Sequence, residues 1–361
     1  MDNILGKRGG GKKALGVLAR GSLIGLFFAA LWLPLIGTRF HWFPKYRNTE
    51  NRTLAQRPAL TWRGLSGYPK AYEAYFSDHF GLRSLLVRID SFVKLEWFHT
   101  SPSPQVPVLL GKDGWLYFTA QDIITDYRCV GLFPQAYLEH VAKTIEERQR
   151  RLKQMGIGYL IVIIPEKSTV YPEHLPDTVR KVGRQSKCDQ VMAYLTPRVD
   201  VPLLDLRERF MKAKGPLPLY SMTDSHWNEY AGLLACQEIA GRLASSFPGV
   251  TPLALSDFIV TVKTNGHFSG DLACMLSRPD LFRELDLEVT HGKGMTGSPR
   301  KIRKLVLFND SYIDAMDPYL GFWFETIVHN RFKNFDPAIV ERENPDVVIE
   351  QMAERALSFR F

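Results

Sequence analysis

The sequence contains few cysteines and none of the residue spacings that commonly hold a metal ion. Four of its 361 residues are cysteines, and neither a Cys-x-x-Cys nor a His-x-x-x-His pattern occurs. We therefore expect no metal site, because structural zinc is usually bound by closely spaced pairs of this kind. Hydrophobic residues make up 45% of the chain and charged residues 23%. This balance is typical of a folded protein with one large domain or two smaller ones.

The sequence also lacks the signatures of a nucleic-acid-binding protein. No run of lysine and arginine interleaved with aromatic residues occurs, and there is no zinc-finger, basic-zipper or RNA-binding sheet motif. The net charge of +8 does not contradict this, because half of it lies within the first twenty residues. The charged residues of that segment are Asp2, Lys7, Arg8, Lys12, Lys13 and Arg20. The remaining charge is ordinary for a soluble body, so no nucleic-acid partner is expected.

One long apolar run follows this basic segment, at residues 21–37. Its length matches the shortest helices that cross a bilayer, which have roughly 17 residues. Basic residues on its N-terminal side orient the N-terminus toward the cytoplasm and send the rest of the chain across the membrane. A cleaved signal peptide is the main alternative, but no Ala-x-Ala-like cleavage site follows the run. We therefore predict a cytoplasmic basic tail and an uncleaved transmembrane anchor at residues 1–39.

A body outside the cytoplasm allows cysteines to oxidise. Cys129 and Cys188 lie in polar, loop-like surroundings, whereas Cys236 falls in a helical pattern and Cys274 in an apolar run. We predict a disulfide between the first two. The other two are expected to be buried thiols that behave as small hydrophobic residues.

The pattern of apolar residues changes at about residue 130. Residues 40–130 are irregular and rich in aromatic residues, and we expect an N-terminal prelude packed on the core rather than a separate domain. In residues 131–361, short apolar runs alternate with amphipathic segments. Predicted strands are 159–164, 201–206, 304–308, 325–328 and 347–349, and predicted helices are 134–156, 227–247, 337–342 and 351–357. This alternation predicts an α/β fold with a mostly parallel sheet covered by helices on both faces, in which ligands bind beyond the carboxyl ends of the strands.

Two short polar segments carry the candidate chemistry. The first contains Asp224 and His226, which lie two residues apart just before a predicted helix. On an extended backbone, side chains two residues apart project to the same side, so the Asp224 carboxylate can reach the imidazole of His226. Such a contact fixes the tautomer of a general base and supports its protonated form. An aspartate before a helix is also a common N-cap, and this alternative stays open.

The second segment contains Ser311, in a polar turn directly after the predicted strand 304–308. A hydroxyl at the carboxyl end of a strand is exposed at the rim of the sheet, and the first amides of a following helix can bind an oxyanion. The alternative is that this turn only caps the helix. The presence of two such segments in one chain favours a shared site.

The wider pattern resembles the alginate O-acetyltransferase family, which consists of periplasmic, SGNH-hydrolase-like enzymes that acetylate exopolysaccharides. The matching segments, in chain order, are ENR at 50–52, FSDHFGLR at 76–83, GKDGWLYF at 111–118, IPEKSTVYPEHLP at 164–176, TDSHWN at 223–228, SGDLACML at 269–276, NDSY at 309–312 and PDVVIEQMAER at 345–355. As in that family, the Asp-His pair precedes the serine, which reverses the usual SGNH order. One departure is Asn309, which stands where the Gly-Asp-Ser block of SGNH hydrolases has glycine. The resemblance implies an SGNH-like catalytic core at 131–361 with permuted motif order.

The resemblance also implies the roles of the site residues. Ser311 would be the nucleophile, His226 the general base and Asp224 the residue that orients it. The candidate contributors to substrate or oxyanion binding are Tyr312, Asn330 and Arg331. Asn330 and Arg331 are candidates because they follow the predicted strand 325–328, and the alternative that they belong to an ordinary basic loop stays open. No cofactor is implied.

By the same resemblance, the chain is a single-pass protein of the cell inner membrane with its catalytic domain in the periplasm. It would transfer acetyl groups through an acyl-serine onto hydroxyls of a secreted, alginate-like polysaccharide, and a multispanning membrane acyltransferase would supply them. Two alternatives stay open: an acetylesterase that uses the same triad, and a non-catalytic scaffold of an export complex. The basic run at 298–304 either holds an acidic polymer by charge or is a solvated loop.

Overall fold

The computed structural model describes residues 9–40, 53–102, 106–198, 203–292 and 300–361. The chain divides into two compact units, Met1–Pro102 and Ser103–Phe361. Residues 103–130, expected to be part of the prelude, are grouped with the second unit. Within that unit, for example, the Leu116 N–H donates to the Met222 carbonyl at 2.8 Å.

The first unit begins with a long apolar helix. Helix α1, Gly9–Phe40, has 32 residues, which corresponds to a length of about 48 Å. Its window Arg20–Gly37 has a mean hydropathy of 1.6 and is, by length and composition, sufficient to cross a membrane. Two further helices follow, α2 at Tyr68–His79 and α3 at Arg83–Glu96.

Strands and helices alternate in the second unit. The strands are β1 (Val108–Leu110), β2 (Leu116–Phe118), β3 (Gly158–Ile164), β4 (Leu203–Asp205), β5 (Phe258–Phe268), β6 (Glu284–His291), β7 (Ile302–Asn309), β8 (Phe324–Arg331) and β9 (Val347–Ala353). The helices are α4 (Ile123–Tyr127), α5 (Gln135–Gln154), α6 (Lys167–Val170), α7 (Lys187–Leu195), α8 (Arg207–Ala213), α9 (Glu229–Ala244), α10 (Asp271–Met275), α11 (Asp317–Leu320) and α12 (Pro337–Glu343). Two 3-10 helices matter for the site, Ser311–Ala315 and Glu354–Ser358.

A five-stranded parallel sheet forms the centre of the second unit. Its strand order is β4-β3-β9-β7-β8, and every neighbouring pair runs parallel. The predicted α/β fold with a mostly parallel sheet is therefore confirmed. Because all five strands point the same way, their carboxyl ends meet at one edge of the sheet, where ligands of such folds bind.

Separate apolar clusters cover the two faces of this sheet. In β3, Leu160, Val162 and Ile164 belong to one cluster, whereas Ile161 and Ile163 belong to the other. This is the expected result of side-chain alternation along a strand. Helix α9 packs in the first cluster, and α5, α7 and α12 pack in the second. Each fully buried aliphatic side chain contributes roughly 1.5–3 kcal/mol to the free energy of unfolding. The sheet is therefore a stable support for the loops at its carboxyl edge.

The predicted helix at 351–357 is wrong in its first part. Strand β9 continues to Ala353, and all seven of its residues are buried. The reason is a long-range contact, because the Gln351 side chain and the Ala353 N–H both donate to the Asp310 carboxylate. The spacing of apolar residues carries no information about such a contact.

The stretch after α9 contains an antiparallel hairpin. Strand β5 pairs with β6 from the Phe258–His291 pair onward. The first residue of β6, Glu284, accepts hydrogen bonds from the N–H groups of Met222 (2.6 Å) and Thr223 (2.8 Å). The hairpin thereby holds the backbone just before the Asp-x-His segment.

The predicted disulfide between Cys129 and Cys188 is wrong, because all four cysteines are free thiols. Cys188 lies on α7 and is fully buried in an apolar cluster. Cys129 lies in a turn, where its thiol donates to the Tyr127 carbonyl at 3.6 Å. The polar residues near Cys188 belong to a helix start and not to a loop that carries a disulfide. Ser186 and Asp189 form a capping box at the start of α7.

Candidate active site

An aspartate and a histidine are hydrogen-bonded in the turn that precedes α9. Asp224 Oδ1 lies 2.8 Å from His226 Nδ1 and accepts the main-chain N–H of the same histidine at 2.9 Å. Helix α9 is capped by Asn228 rather than by Asp224, because the Asn228 Oδ1 accepts from the Ala231 N–H at 3.1 Å. The Asp224 carboxylate is therefore available to orient the imidazole.

A serine lies at the other nitrogen of this imidazole. Strand β7 ends at Asn309, and Ser311 is the first residue of the 3-10 helix Ser311–Ala315. The Ser311 Oγ lies 2.7 Å from His226 Nε2, although the two residues are 85 positions apart. The side chains of Ser311, His226 and Asp224 thus form one hydrogen-bonded chain. In such an arrangement a histidine can remove the proton of a serine hydroxyl.

The loop that carries Ser311 is held by its neighbour Asp310. The buried carboxylate of Asp310 accepts from the Tyr312 N–H (3.0 Å), from Gln351 Nε2 (2.7 Å) and from the Ala353 N–H (2.9 Å). These bonds join the end of β7 to the end of the adjacent strand β9. Hydrogen bonds to an ionised group are stronger than neutral ones, so the serine is anchored to the sheet.

Two hydrogen bonds hold the histidine segment against the serine segment. Trp227 Nε1–H donates to the Tyr312 carbonyl (2.7 Å), and the Tyr312 hydroxyl donates to the Ser225 carbonyl (3.0 Å). Behind them, Gly232 of α9 approaches Ala315 so closely that a Cβ on the glycine would lie 2.1 Å from the Ala315 carbonyl oxygen. The distance between the imidazole and the serine hydroxyl is therefore set by packed elements.

A second aspartate, Asp271 at the start of α10, is not among the predicted site residues. Its carboxylate accepts from the Ser225 N–H (2.7 Å) and hydroxyl (2.6 Å), and its own N–H donates to Asp224 Oδ2 (2.9 Å). Its Oδ2 lies 3.8 Å from His226 Nδ1. Gly270 permits this approach, since a Cβ there would lie 2.5 Å from the Asp224 backbone. The Gly-Asp pair is visible in the sequence, but no local pattern indicates a partner 47 residues away.

A buried lysine supports the same turn and is also absent from the predicted site. The Lys167 ammonium donates to the carbonyls of Leu116 (2.7 Å), Met222 (2.7 Å) and Asp224 (2.9 Å), and lies 5.1 Å from the centre of the Trp115 ring. Its three N–H groups match these three carbonyls in number. Burial lowers the pKa of Lys167 to about 7, against the opposing charges of nearby carboxylates.

Burial and hydrogen bonding act in opposite directions on the Asp224–His226 pair. Burial disfavours the charged form of Asp224, but hydrogen bonds from His226 and from main-chain N–H groups lower the pKa of this carboxyl to about 2. Burial also disfavours protonation of His226, but the hydrogen bond and charge of Asp224, with the charge of Asp271, raise the pKa of the imidazole. Asp224 is therefore ionised, and His226 is a stronger base than an isolated histidine.

The three residues predicted to bind substrate or an oxyanion differ in their position relative to Ser311. The N–H and the hydroxyl of Tyr312 are both already bonded within the protein. The Asn330 side chain donates to the Val328 carbonyl at 3.4 Å, and the Arg331 guanidinium pairs with Asp314 at 2.8 Å. Of the three residues, Tyr312 alone is part of the wall beside the serine.

A different group is available to bind an oxyanion. The N–H of Ser311 has no hydrogen-bond acceptor within the described ranges of the chain, whereas the N–H groups of Tyr312 and Ile313 both donate to Asp310. A main-chain N–H of the nucleophile itself is a common oxyanion donor. This amide was not named among the predicted site residues.

One group of side chains has the spacing that a metal ion needs. The ligand atoms of Asp224, His226 and Asp271 lie within 4.8 Å of one another. Each residue already uses its ligand atoms in hydrogen bonds, however, and the Asp224–His226 contact of 2.8 Å is one of them. An ion bound here would break the pair that orients the imidazole, so the donor set fits acid–base chemistry better than metal binding.

An open cavity of about 260 Å³ lies beside the serine. Its lining residues are Ser221, Asp224, His226, Trp227, Asn228, Glu229, Asp286, Leu287, Ser311, Tyr312, Asp314 and Ala315. Small-molecule sites are usually concave spaces of similar or somewhat larger volume. The cavity can therefore admit an acyl group together with part of an acceptor.

Known proteins resemble this chain in sequence and in fold. The probable alginate O-acetylase AlgJ of Pseudomonas aeruginosa is 24% identical over 216 residues, which are 60% of this chain and 52% of that protein. The homologue from Pseudomonas syringae is 23% identical over 218 residues, again 60% of this chain and 53% of the relative. The chain thus spans about half the length of the curated relatives it matches.

Among solved structures, Bacillus cereus PatB1 superposes with a TM-score of 0.51 at 16% identity, covering 69% of this chain and 96% of PatB1. That similarity concerns the fold alone.

A family model covers more than half of the chain and includes the site. Residues 108–314 match the model described as the SGNH hydrolase-like domain of the acetyltransferase AlgX. The matched range contains Asp224, His226 and Ser311, and it begins with β1 and ends in the 3-10 helix that follows β7. The chain belongs to this family of SGNH hydrolase-like acetyltransferase domains.

Proposed function

We propose that this protein is an O-acetyltransferase that moves acetyl groups through an acyl-serine onto hydroxyls of a secreted polysaccharide. The observation that carries the proposal is the position of His226, whose two ring nitrogens lie 2.8 Å from Asp224 and 2.7 Å from Ser311. The relatives named alginate O-acetylase support acetyl as the transferred group and a polysaccharide as the acceptor.

In the first step, Ser311 Oγ attacks the carbonyl carbon of the donor ester, and His226 Nε2 takes the hydroxyl proton. Asp224 holds the Nδ1–H tautomer and stabilises the imidazolium. The oxyanion that forms accepts a hydrogen bond from the Ser311 N–H. Collapse breaks the bond to the leaving oxygen, which receives the proton from His226, and the acetyl group stays on the serine.

In the second step, a sugar hydroxyl attacks the acetyl carbon, and His226 takes the hydroxyl proton. The bond between the acetyl carbon and Ser311 Oγ breaks, and the serine oxygen regains a proton from the imidazolium. The products are an O-acetylated sugar and the free enzyme. If water attacks instead, the same residues release acetate, so the competition between water and a sugar decides between transferase and esterase.

We also propose that α1 anchors the protein in the inner membrane with the second unit in the periplasm. The basic N-terminal segment and the apolar window Arg20–Gly37 support this topology. Acetyl groups would then come from a multispanning membrane acyltransferase, because free acetyl donors of the cytoplasm do not reach that side. A reporter that works only in the periplasm, fused to the C-terminus, should be active. A stable but inactive fusion would contradict the topology.

The proposed activity is tested with full-length protein in detergent, p-nitrophenyl acetate as donor and hydroxyl-bearing oligosaccharides as acceptors. We expect mass spectrometry to find one acetyl group on the peptide that contains Ser311, and acetylated oligosaccharide to accumulate. Ser311→Ala should abolish both signals, whereas Ser245→Ala, which removes an exposed hydroxyl on α9's end, should abolish neither.

The same assay separates the alternative functions. Acetate release without any acetylated sugar would identify an acetylesterase. A folded protein that neither forms the acetyl-serine nor turns over the donor would identify a non-catalytic scaffold.

A further inference from the structure

We infer that the acceptor of this site is a glycan segment without carboxylates, either uncharged or carrying amines. The inference rests on the proposed function, because it concerns the hydroxyl that receives the acetyl group. It departs from the alginate-like polymer implied by the resemblance, since alginate carries a carboxylate on each sugar.

Acidic residues outnumber basic ones in the wall of the cavity beside the serine. Four of its described lining residues are acidic, and none is lysine or arginine. The acidic residues are Asp224, Glu229, Asp286 and Asp314. Carboxylate oxygens only accept hydrogen bonds, so they suit the hydroxyl and ammonium groups of a sugar. A uronate carboxylate in the same space would be repelled by like charge.

The cations that contact this wall all have partners within the protein. Arg355, whose guanidinium lies 5.4 Å from the centre of the Tyr312 ring, pairs with Glu166 at 2.6 Å. Lys167 donates to three carbonyls, one of them that of Asp224.

Two other cations pair with carboxylates of the wall itself. Lys263 Nζ lies 2.8 Å from Asp286, and the Arg331 guanidinium makes two contacts of 2.8 Å with Asp314. To pair with Lys263 or Arg331, a substrate carboxylate would have to displace Asp286 or Asp314. Exchanging one ion pair for another at a solvent-exposed site gains little binding free energy. Glu229 has no lysine or arginine within salt-bridge distance in the part of the chain that the structure describes. The wall therefore keeps a net negative charge.

The basic run at 298–304 does not offset this charge. Residues 302–304 of this run begin β7, whereas Ser311 follows the carboxyl end of the same strand. Lys304, the third residue of β7, is five steps of about 3.3 Å, or roughly 17 Å, from the last residue of the strand, Asn309. This is about twice the screening length of about 8 Å at physiological salt. The described part of the run, residues 300–304, therefore lies too far away to attract a polyanion to the serine.

The test compares three acceptors of equal length with the full-length protein in detergent and p-nitrophenyl acetate as donor. The acceptors are neutral glucose oligomers, glucosamine oligomers with free amines, and glucuronic acid oligomers. At low salt we expect both non-anionic oligomers to be acetylated about tenfold faster than the uronate oligomer. At high salt the difference should shrink, because screening weakens the repulsion.

A matched pair of variants isolates the charge at the cavity. Glu229→Gln removes one charge from the wall and keeps an oxygen to accept the Val289 N–H, which lies 3.2 Å from Glu229 Oε2. This variant should lower the ratio of the acetylation rates of the neutral and uronate oligomers by about threefold. Glu325→Gln removes the same charge from an exposed position at the amino end of β8 and should leave this ratio unchanged.

Equal or faster acetylation of the uronate oligomer would overturn the inference and leave the proposed function intact. If no oligomer is acetylated and only acetate is released, the transferase proposal fails. In that case the binding of the three oligomers to Ser311→Ala, measured by calorimetry, decides the inference. Weaker binding of the uronate supports it, and equal or tighter binding refutes it.

Discussion

Replacing Asp271 by asparagine should move the pH dependence of serine acylation to lower pH. The reaction needs neutral His226 as base, so the rate rises with pH through the pKa of this imidazole. Asp271 Oδ2 lies 3.8 Å from His226 Nδ1, and its negative charge helps to raise that pKa. Without the charge, the imidazole loses its proton at lower pH, and the rising limb of the profile shifts accordingly.

The size of this shift follows from the distance. Two unit charges 4 Å apart interact by about 1 kcal/mol in bulk water and by more where water is excluded. The Asp271 side chain is 32% exposed, so solvent screens its interaction with the imidazole to the lower value, which corresponds to roughly 0.7 pKa unit. Asparagine keeps an oxygen that can accept the Ser225 N–H. The folded geometry should therefore survive, and the expected shift is about 0.7 pH unit.

The assay is the pH dependence of kcat/KM for p-nitrophenyl acetate, which reports the pKa values of the free enzyme. Asp177→Asn is the matched control, because it removes an exposed carboxylate that pairs with Lys112. The control profile should coincide with that of the unmodified protein. An unchanged or upward-shifted midpoint in Asp271→Asn would refute the electrostatic role of this carboxylate.

Three further predictions follow from the same structure. Ser311→Ala and His226→Ala should each lower donor turnover by at least about 10⁴-fold, and the double variant should be little worse, because members of such a unit are not additive; additive losses would contradict the shared mechanism. Lys167→Met should lower the free energy of unfolding by about 3 kcal/mol, since three buried carbonyls lose their donor. Burial depresses the pKa of Lys167 to about 7, so above that pH the unfolded chain binds one more proton than the folded chain. The free energy of unfolding of the wild type should therefore rise from pH 7 to pH 9 relative to that of the variant, as measured by urea titration. A difference that does not change with pH would contradict this. Non-reduced peptide mapping should find no bridge between Cys129 and Cys188, and an alkylating reagent should label Cys129 before Cys188 in the native protein, because Cys188 is fully buried.

The sequence by itself determined the central sheet and the location of the two reacting segments. The apolar runs 159–164 and 304–308 predict strands buried on both faces, and β3 and β7 occupy those positions. The spacing of Asp224 and His226 was enough to predict their contact, because residues two apart are close neighbours along the chain. The structure forms this contact in a turn, where the Asp224 carboxylate also accepts the His226 N–H, and not on an extended strand. The placement of Ser311 after a strand likewise needs only the order of elements along the chain.

The supports of the site were decided by the tertiary structure alone. Asp271 and Lys167 contact the Asp224 residue from 47 and 57 positions away. A periodic pattern reports on neighbours along one element, and it contains no information about which distant groups pair when the chain closes. The helix predicted at 351–357 is wrong in its first part for the same reason, because the hydrogen bond from Gln351 to Asp310 keeps residues 351–353 in strand β9.

The charge of the acceptor cavity is likewise a tertiary property. Its wall combines Glu229 from α9, Asp286 from β6 and Asp314 from the 3-10 helix after β7. Along the sequence these residues are interspersed with lysines and arginines, so the net charge of +8 predicts nothing about the cavity. The fold places carboxylates beside the carboxyl end of β7 and the basic residues 300–304 at its amino end, because β7 separates the two along its length.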